Sequence, residues 1–432
     1  MKLNIKDIKQ PFSTDAHRLI IDKVKDQTKL FNKDDIDQIT QGFMDSRISS
    51  HHGTAFVLSQ FFTQYSLEEI EAMARSFAES GRIFDFPGPT FAKHSLGGVP
   101  GNKITLLIVP ILAAAGLLIP KTSTHAITSA CGTADSMSVL APVEISADEV
   151  VEIVNKTKGC IVTGRKMGIA PVVDKIIQNA AFPLGIDPIS LIFAGILAKK
   201  IAMGVDFLVL DVPIGTEKVS TEEEGRVLAR QFVDLADRLD IKAEAGLTYA
   251  SVPVGHTIGP LLEAREAIEA LLGKGPTSLV EKSCELAGIV FEMAGMTPRG
   301  FGKQYAAELL NKGKALTKMR EIIEAQGGDP KVTPESLNQR LENLPVLEYK
   351  APSDGWPHTW SNYALKEIAR AAGAPHDPRA GIEILAKKES VKKGEVVFRV
   401  YTSSDSELNE VRGLIAKLRP VIIESVLLER VV

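Results

Sequence analysis

Residues 93–120 read KHSLGGVPGNKITLLIVPILAAAGLLIP, eleven polar and glycine-rich residues that run straight into seventeen apolar ones. Gly97, Gly98, Pro100 and Gly101 cannot fill a core. They can bring bare backbone N–H groups close to a ligand, and such a loop at a helix N-terminus is an anion site. Lys93 and Lys103 add positive charge, and Ser95 and Thr105 add hydroxyl donors. Phosphate is the default anion. The spacing fits neither a Walker loop nor GxGxxG, so the pattern alone leaves a phosphate site and a plain strand-to-helix turn level. The apolar run Ile104–Pro120 contains two prolines and is short for a membrane span. It reads as a buried helix behind the loop.

Outward from this stretch, short apolar segments alternate with helical patterns. That predicts an α/β sheet with helices on its faces. FLVLDVPIG (207–215) is the clearest buried strand. HAITSAC (125–131) and GCIVTG (159–164) read as two more, and GLTYASVPVG (246–255) as a further strand with its loop. Upstream, residues 13–80 read as helices: STDAHRLIIDKVKDQ, KDDIDQITQGFMDS and SLEEIEAMARSFAESG, the last with Ser66 as N-cap, Glu69 completing a capping box and Gly81 as the stop. SRISSHHGT (46–54) reads as a loop, with His51 and His52 solvated rather than holding a metal. APVVDKIIQNAA and DPISLIFAGILAKKIA (170–181 and 187–202) are helical again. They are expected to rejoin the N-terminal helices as one lobe, with a ligand cleft toward the sheet lobe. Beyond EAQGGDPKV (324–332), a linker-like stretch, a helix and a strand pair with a Lys-Gly turn predict a small α+β appendage that ends in the strand of LRPVIIESVLLERVV. The expected division is a helical lobe of 1–82 and 170–203, an α/β lobe of 83–169 and 204–330, and a C-terminal α+β domain of 331–432.

The 432 residues are 44% hydrophobic and 24% charged, the balance of a globular chain. A net charge of -4 argues against a general nucleic-acid binder. Three widely spaced cysteines, Cys131, Cys160 and Cys284, offer no disulfide framework and no metal spacing. With no signal-peptide pattern at the start, a reduced cytoplasmic location and no membrane association are expected.

A second loop, KTSTHAITSACGTAD (121–135), is dense in hydroxyls. Ser123, Thr124, Thr128, Ser129 and Thr133 cannot all be core residues without partners. Two hydroxyl-rich loops in one α/β domain favour a shared phosphate site. Asp187 and Lys199 are twelve residues apart. The functional reading places both on the cleft face of this helical excursion, where a partly buried Asp187 would have a raised pKa and serve as a general acid. The plain readings are a helix cap and surface lysines.

At this point the ordered blocks KHSLGGVPGNK, IPKTSTHAITSACGTAD, IDPISL, ILAKK, LVLDVPIG, PVGHTIGPLLEAREAIEALLGKGP, IARAAGAPHDPRAG and VKKGE together resemble the thymidine/pyrimidine-nucleoside phosphorylase family. Within it they are most similar to the archaeal-type AMP phosphorylases. The resemblance implies a helical lobe, a large α/β lobe of the class II nucleoside phosphorylase type, and a C-terminal α+β domain. It implies phosphorolysis, in which inorganic phosphate is the co-substrate and no cofactor or metal is needed. Lys93, Ser95, Thr105, Ser123 and Thr133 match phosphate-site positions, along with the backbone of Gly97 and Gly98. His94 matches a histidine near the leaving base, and Asp187 the proton donor to that base. Gly98, Thr124, His125, Ala126, Ile127, Thr128, Ser129, Thr133, Gly195, Lys199 and Lys218 match nucleotide-contacting positions.

Where thymidine phosphorylases hold the pyrimidine with an Arg and a Ser, an ungapped match puts Ala180 and Gly195. Pro100 in GGVPG follows the nucleotide branch. Other positions depart from it. His125 stands where an Arg is usual, Asn102 for an Asp, and Ala198 for the Ser of ILSKK. The implied substrate is a nucleoside 5′-monophosphate of the AMP, CMP or UMP type. The alternative is a nucleoside without the 5′-phosphate (uridine, cytidine, thymidine or a modified nucleoside), which His125 favours. A magnesium-dependent phosphoribosyltransferase of the anthranilate type shares the fold but would need an acidic pair that is not seen. A non-catalytic nucleotide binder is the remaining reading. Relatives of the AMP branch carry a further N-terminal domain that promotes large assemblies, and a homodimer is therefore expected here.

Overall fold

The computed structural model describes residues 15–63, 65–126, 129–216, 218–386 and 390–425. The chain divides into two compact units. One gathers the described residues up to Pro87 with Met167–Val205 and Asp234–Ile241. The other gathers Gly88–Lys166, Asp206–Val233 and the described residues from Lys242 onward.

The first unit is helical. Helices Asp15–Lys25, Lys33–Met44, Ser50–Phe62 and Leu67–Glu79 carry the N-terminal half. Ser66 and Glu69 form the predicted capping box, with Glu69 N donating to Ser66 Oγ at 3.2 Å and Ser66 N to the Glu69 carboxylate at 3.0 Å. Here the box is more than a cap. The same carboxylate takes the buried Lys23 ammonium at 2.7 Å and Phe31 N at 3.0 Å, so one side chain joins three segments. His51 and His52 are not in a loop. They form the first turn of Ser50–Phe62, capped by Ser49, and His52 stacks on His17 at 4.0 Å. Pro171–Ile176 opens the second helical stretch, which widens to a π-helical turn over Ile177–Ala181. Helix Ile189–Ala202 closes it.

The second unit is built on parallel strands: β1 (Phe91–Ser95), β2 (Ile119–Ser123), β3 (Gly159–Thr163), β4 (Phe207–Ile214) and β5 (Lys242–Tyr249). Strand β4 lies between β1 and β5, and β2 pairs with β3. A parallel bridge between Thr90 and Leu118 joins the two sheets, with Phe91 N donating to Leu118 O at 2.8 Å. The spatial order is therefore β3-β2-β1-β4-β5. The chain moves out from β1 to β3 on one side, then returns to place β4 on the other. β1 and β4 thus flank a topological switch point, where open α/β sheets bind ligands beyond the C-terminal strand ends. Helix Thr105–Ala114, TLLIVPILAA, is apolar all round and buried along nearly its whole length, as such a helix must be. The strand expected at HAITSAC is instead IPKTS, just upstream. The described residues between Thr124 and Gly132 are loop, and Ser129 Oγ donates to Cys131 O at 3.2 Å, a local bond of the kind that competes with a ladder.

Beyond these come β6 (Thr257–Ile258), β7 (Val346–Lys350), β8 (Trp356–Trp360), β9 (Gly381–Ile384), β10 (Val396–Tyr401) and β11 (Val421–Glu424). An antiparallel sheet runs β6-β9-β10-β7, and β11 pairs with β8. This region is not an appendage. β6 comes from the α/β segment, so the ladder ties the two together. Ala130, from the hydroxyl-rich loop, is buried in the same apolar cluster as Leu365, Ile382 and Phe398. The linker-like EAQGGDPKV is also anchored. Gln326 caps the open side of β3, accepting from Ile161 N at 2.9 Å and donating to Ile161 O at 3.0 Å and Pro142 O at 2.9 Å.

Candidate active site

Three candidate loops leave the C-terminal ends of parallel strands. The glycine loop follows β1, the hydroxyl-rich loop follows β2, and the loop carrying Lys218 follows β4. The first begins at Ser95, the last residue of β1, which is in register with Asp211 of β4. Strand alternation puts Lys93 and Ser95 on one face and His94 on the other. Gly97 and Gly98 have φ of +82° and +91°, a conformation other residues adopt only with strain. A side chain at Gly97 would meet no atom within 4 Å, so this glycine serves the backbone conformation and leaves open space beside it. Gly101 differs. A Cβ there would lie 2.6 Å from Thr257 O and 2.7 Å from Val254 O, so close packing excludes one. Thr105 is buried at the head of the helix that follows.

Lys103 does not serve the loop as an anion-binding cation. Its ammonium is buried and donates to Val254 O at 3.1 Å, Thr257 O at 3.0 Å and the Glu266 carboxylate at 2.5 Å. Glu266 also accepts from His256 N at 2.9 Å and Thr257 Oγ1 at 3.0 Å. Lys103 is an internal clamp that holds the glycine loop to residues 254–257. Glu263, one helical turn from Glu266, is pushed up to about 7 by burial, which outweighs the opposing charge of Lys103.

Lys93 is buried, and its charge is felt by Asp211. Asp211 is the hub that reading the sequence missed. Fully buried, it accepts from Ser95 Oγ, takes Thr248 Oγ1 at 2.6 Å and pairs with Lys282 Nζ at 3.1 Å. Asn102 Nδ2 reaches Ser95 Oγ at 3.1 Å and lies 3.5 Å from the Asp211 carboxylate. Burial raises the pKa of Asp211, but Lys282, Lys93 and the two hydroxyls outweigh it and hold the group below the usual carboxylate value. Burial lowers the pKa of Lys282, and Asp211 opposes that shift. The available signal was a charged residue inside an apolar strand, FLVLDVPIG, because a buried charge must have partners.

The hydroxyl-rich loop is organised by one carboxylate. Asp135 accepts from Gly132 N and Ala126 N, both at 2.8 Å, and meets His125 Nδ1 at 2.6 Å. His125 Nε2 is 3.5 Å from Glu144, so the imidazole stands between two acidic side chains. A Cβ at Gly132 would lie 2.6 Å from Thr124 O. Ser123 ends β2, Thr124 and Ser129 are exposed, and Thr133 heads the short helix Thr133–Ser138. Ile127 and Thr128 lie outside the described residues. After β4, Gly215 N and Thr216 N both bond Val219 O, and this tight turn presents Lys218 to solvent.

The remaining candidates belong to the helical unit. Asp187 is not on a helix with Lys199. It sits exposed in the loop before Pro188, which is the N-cap of Ile189–Ala202. Proline disfavours helical geometry at the residue before it, so the shared helical face and the partial burial expected for Asp187 are both absent. Lys199 is on the helix and bonds Asp174 at 2.8 Å. Gly195 is buried, and a Cβ there would press on Val173 at 3.1 Å, which favours glycine over the serine of thymidine-type sites. Ala180, buried in the π-helical turn, likewise leaves no pyrimidine-holding side chain.

Among the described residues no helix is long and apolar enough to cross a membrane. The profile of the glycosyl transferase family, a/b domain, matches residues 88–316. An AMP phosphorylase of Methanospirillum hungatei is 45% identical over 413 residues, covering 95% of this chain and 79% of that one. Those of Thermococcus kodakarensis and Methanocaldococcus jannaschii are 43% and 44% identical, each covering 95% of this chain and 81% of its own. Among solved structures, anthranilate phosphoribosyltransferase from Thermus thermophilus superposes with a TM-score of 0.61 at 18% identity, over 72% of this chain and 99% of its own. That likeness bears on the fold alone. With a profile match centred on the switch-point sheet and near full-length relatives, the chain belongs to the glycosyl transferase family with this α/β domain, and within it to the AMP phosphorylases.

Proposed function

We propose that this protein cleaves the N-glycosidic bond of nucleoside 5′-monophosphates with inorganic phosphate, giving the free base and ribose 1,5-bisphosphate. A phosphate oxygen forms the bond to C1′ as the bond from C1′ to the base nitrogen breaks. The electron pair goes to the base, which then takes a proton. Lys93, Ser95 and the backbone at Gly97 and Gly98 hold the phosphate, with Thr105, Ser123 and Thr133 completing its shell. Residues 124–129, Thr133, Gly195, Lys199 and Lys218 meet the nucleotide. By the family resemblance His94 is assigned to the base and Asp187 to its proton, the latter from the exposed loop before Pro188 and not from a partly buried helix face. Positive charge spreads over the ribose in the transition state, so a positioned anion contributes both proximity and electrostatic stabilisation.

The observation that carries the reading is the pair Lys93 and Ser95 at the switch point, fixed by the buried Asp211. The test is base release from AMP, CMP, UMP and the parent nucleosides, each with and without phosphate. The expected result is phosphate-dependent release from the monophosphates. Phosphate-dependent release from nucleosides alone would replace this reading by the second one, a nucleoside phosphorylase. One observation favours that alternative: His125 lies between Asp135 and Glu144, two acidic groups that repel a 5′-phosphate. A dimer and a cytoplasmic location belong to the same proposal. The three cysteines are free, and light scattering on the purified chain reads the assembly.

A further inference from the structure

The proton inventory around Ser95 is unusual for a group that holds an anion. A serine hydroxyl has one O–H to donate and two lone pairs to accept with. Ser95 gives its proton to Asp211, which as a carboxylate can only accept. Asn102 Nδ2 uses one lone pair at 3.1 Å. The reverse amide orientation would bring the Asn102 oxygen against the carboxylate and leave Ser95 with two acceptors for one proton. What Ser95 still offers is a lone pair. Asp211 is held to its acceptor role from every side: by Lys282 from the helix Thr277–Met293, by Thr248 from β5, by Asn102 from the glycine loop and by Lys93 from its own face of β1.

We infer that Asp211 is a specificity-determining positioning residue that turns the Ser95 hydroxyl into an acceptor, so that the site selects an oxyanion still carrying a proton, phosphate or arsenate, over the fully deprotonated sulfate. The inference rests on the proposal that phosphate sits at Lys93 and Ser95. At neutral pH both forms of inorganic phosphate keep a P–OH group, and sulfate has none. A P–OH bound to Ser95 also holds the proton on one oxygen and leaves the other oxygens unprotonated for attack at C1′. Asp211 does not itself touch the anion.

Two readouts separate this inference from the function it rests on. Kinetics with AMP give the KM for phosphate and the inhibition constant of sulfate competing with it. Thermal shift with phosphate, arsenate or sulfate alone needs no turnover. In the wild type, sulfate is expected to bind at least roughly tenfold more weakly than phosphate, about the worth of one hydrogen bond to a charged group, and arsenate is expected to follow phosphate. In Asp211→Asn the serine proton is released to donate. The KM for phosphate rises about tenfold, the preference over sulfate falls toward one, and the KM for AMP holds. Ser95→Ala removes the acceptor and collapses the preference in the same way, and it decides the matter alone should Asp211→Asn fail to fold. Adding Asp211→Asn to Ser95→Ala should change the preference no further, because the carboxylate acts through the hydroxyl.

Equal binding of sulfate and phosphate by the wild type overturns the inference. So does parallel weakening of both anions in the variants, which is what a purely structural role for Asp211 produces. Normal phosphorolysis without anion discrimination leaves the proposed function standing and this inference wrong. Discrimination by thermal shift without phosphate-dependent base release does the reverse.

Discussion

The glycine loop after β1 and the hydroxyl-rich loop after β2 both serve the same end of the sheet, yet they are fixed in opposite ways. Behind the glycine loop stand two buried ion pairs, Lys103 with Glu266 and Lys282 with Asp211. The hydroxyl-rich loop hangs on backbone N–H groups gathered by one carboxylate, Asp135, and on the apolar anchor Ala130. Buried charges paired in low dielectric are costly to disturb, whereas a cap-like carboxylate contributes about 1 kcal/mol. The first loop is therefore built to hold a small charged group in one geometry. The second is held more lightly. His125 belongs to that loop, between Asp135 and Glu144. Asn102 belongs to the fixed one and sets a neutral amide 3.5 Å from the Asp211 carboxylate.

Four substitutions press on this contrast, in falling order of expected effect. Lys103→Met leaves Glu266 buried without its cation and should cost about 3–5 kcal/mol in denaturant unfolding. A loss under 1 kcal/mol would mean the clamp is not what holds the loop. Lys93→Met should lower kcat by roughly 10²–10³, because it removes charge stabilisation from the reacting phosphate. An activity within a few-fold of wild type would remove Lys93 from the site. Glu263→Gln tests the buried carboxyl beside the clamp. The pKa of Glu263 is about 7 in the folded chain against an ordinary 4.5, so the unfolded chain releases the proton first as pH rises. The stability this group contributes is full below pH 4.5, falls through the window up to about 7 and is lost above it, a change on the order of 3 kcal/mol. Glutamine keeps the neutral form, so the variant should match wild type at low pH and exceed it at pH 8. Equal slopes for the two proteins would contradict the assignment. Asp135→Ala, last, should raise the KM for AMP several-fold to tenfold, with the KM for phosphate changed less than twofold. A larger change in the phosphate KM would make the two loops one unit and end the comparison.

How much of this was legible in the sequence follows from the range of each interaction. The capping box of Ser66 and Glu69, the buried helix after the glycine loop and the strands at GCIVTG and FLVLDVPIG are set by neighbours in sequence, and they were readable. The role of Asp211 was not. Its partners Ser95 and Thr248 lie 116 and 37 residues away, and only the sheet register brings them together. Lys103 shows the converse error. A lysine beside a glycine loop has the same one-dimensional signature whether it faces a ligand or an internal carboxylate, and the Glu266 that decides the matter lies 163 residues on. Asp187 was misplaced on a helix although the local signal was present, since Pro188 ends helical geometry at that residue. The C-terminal strands read as an appendage because their pairing with β6 and their packing on Ala130 are long-range contacts.

The most direct test of the central claim is phosphorus NMR of the purified protein incubated with AMP and inorganic phosphate. The account predicts loss of the free phosphate signal in step with the appearance of a product carrying two phosphate groups, at C1 and C5 of ribose, together with stoichiometric adenine. A spectrum unchanged with AMP, while adenosine yields a sugar with a single phosphate at C1, would contradict it.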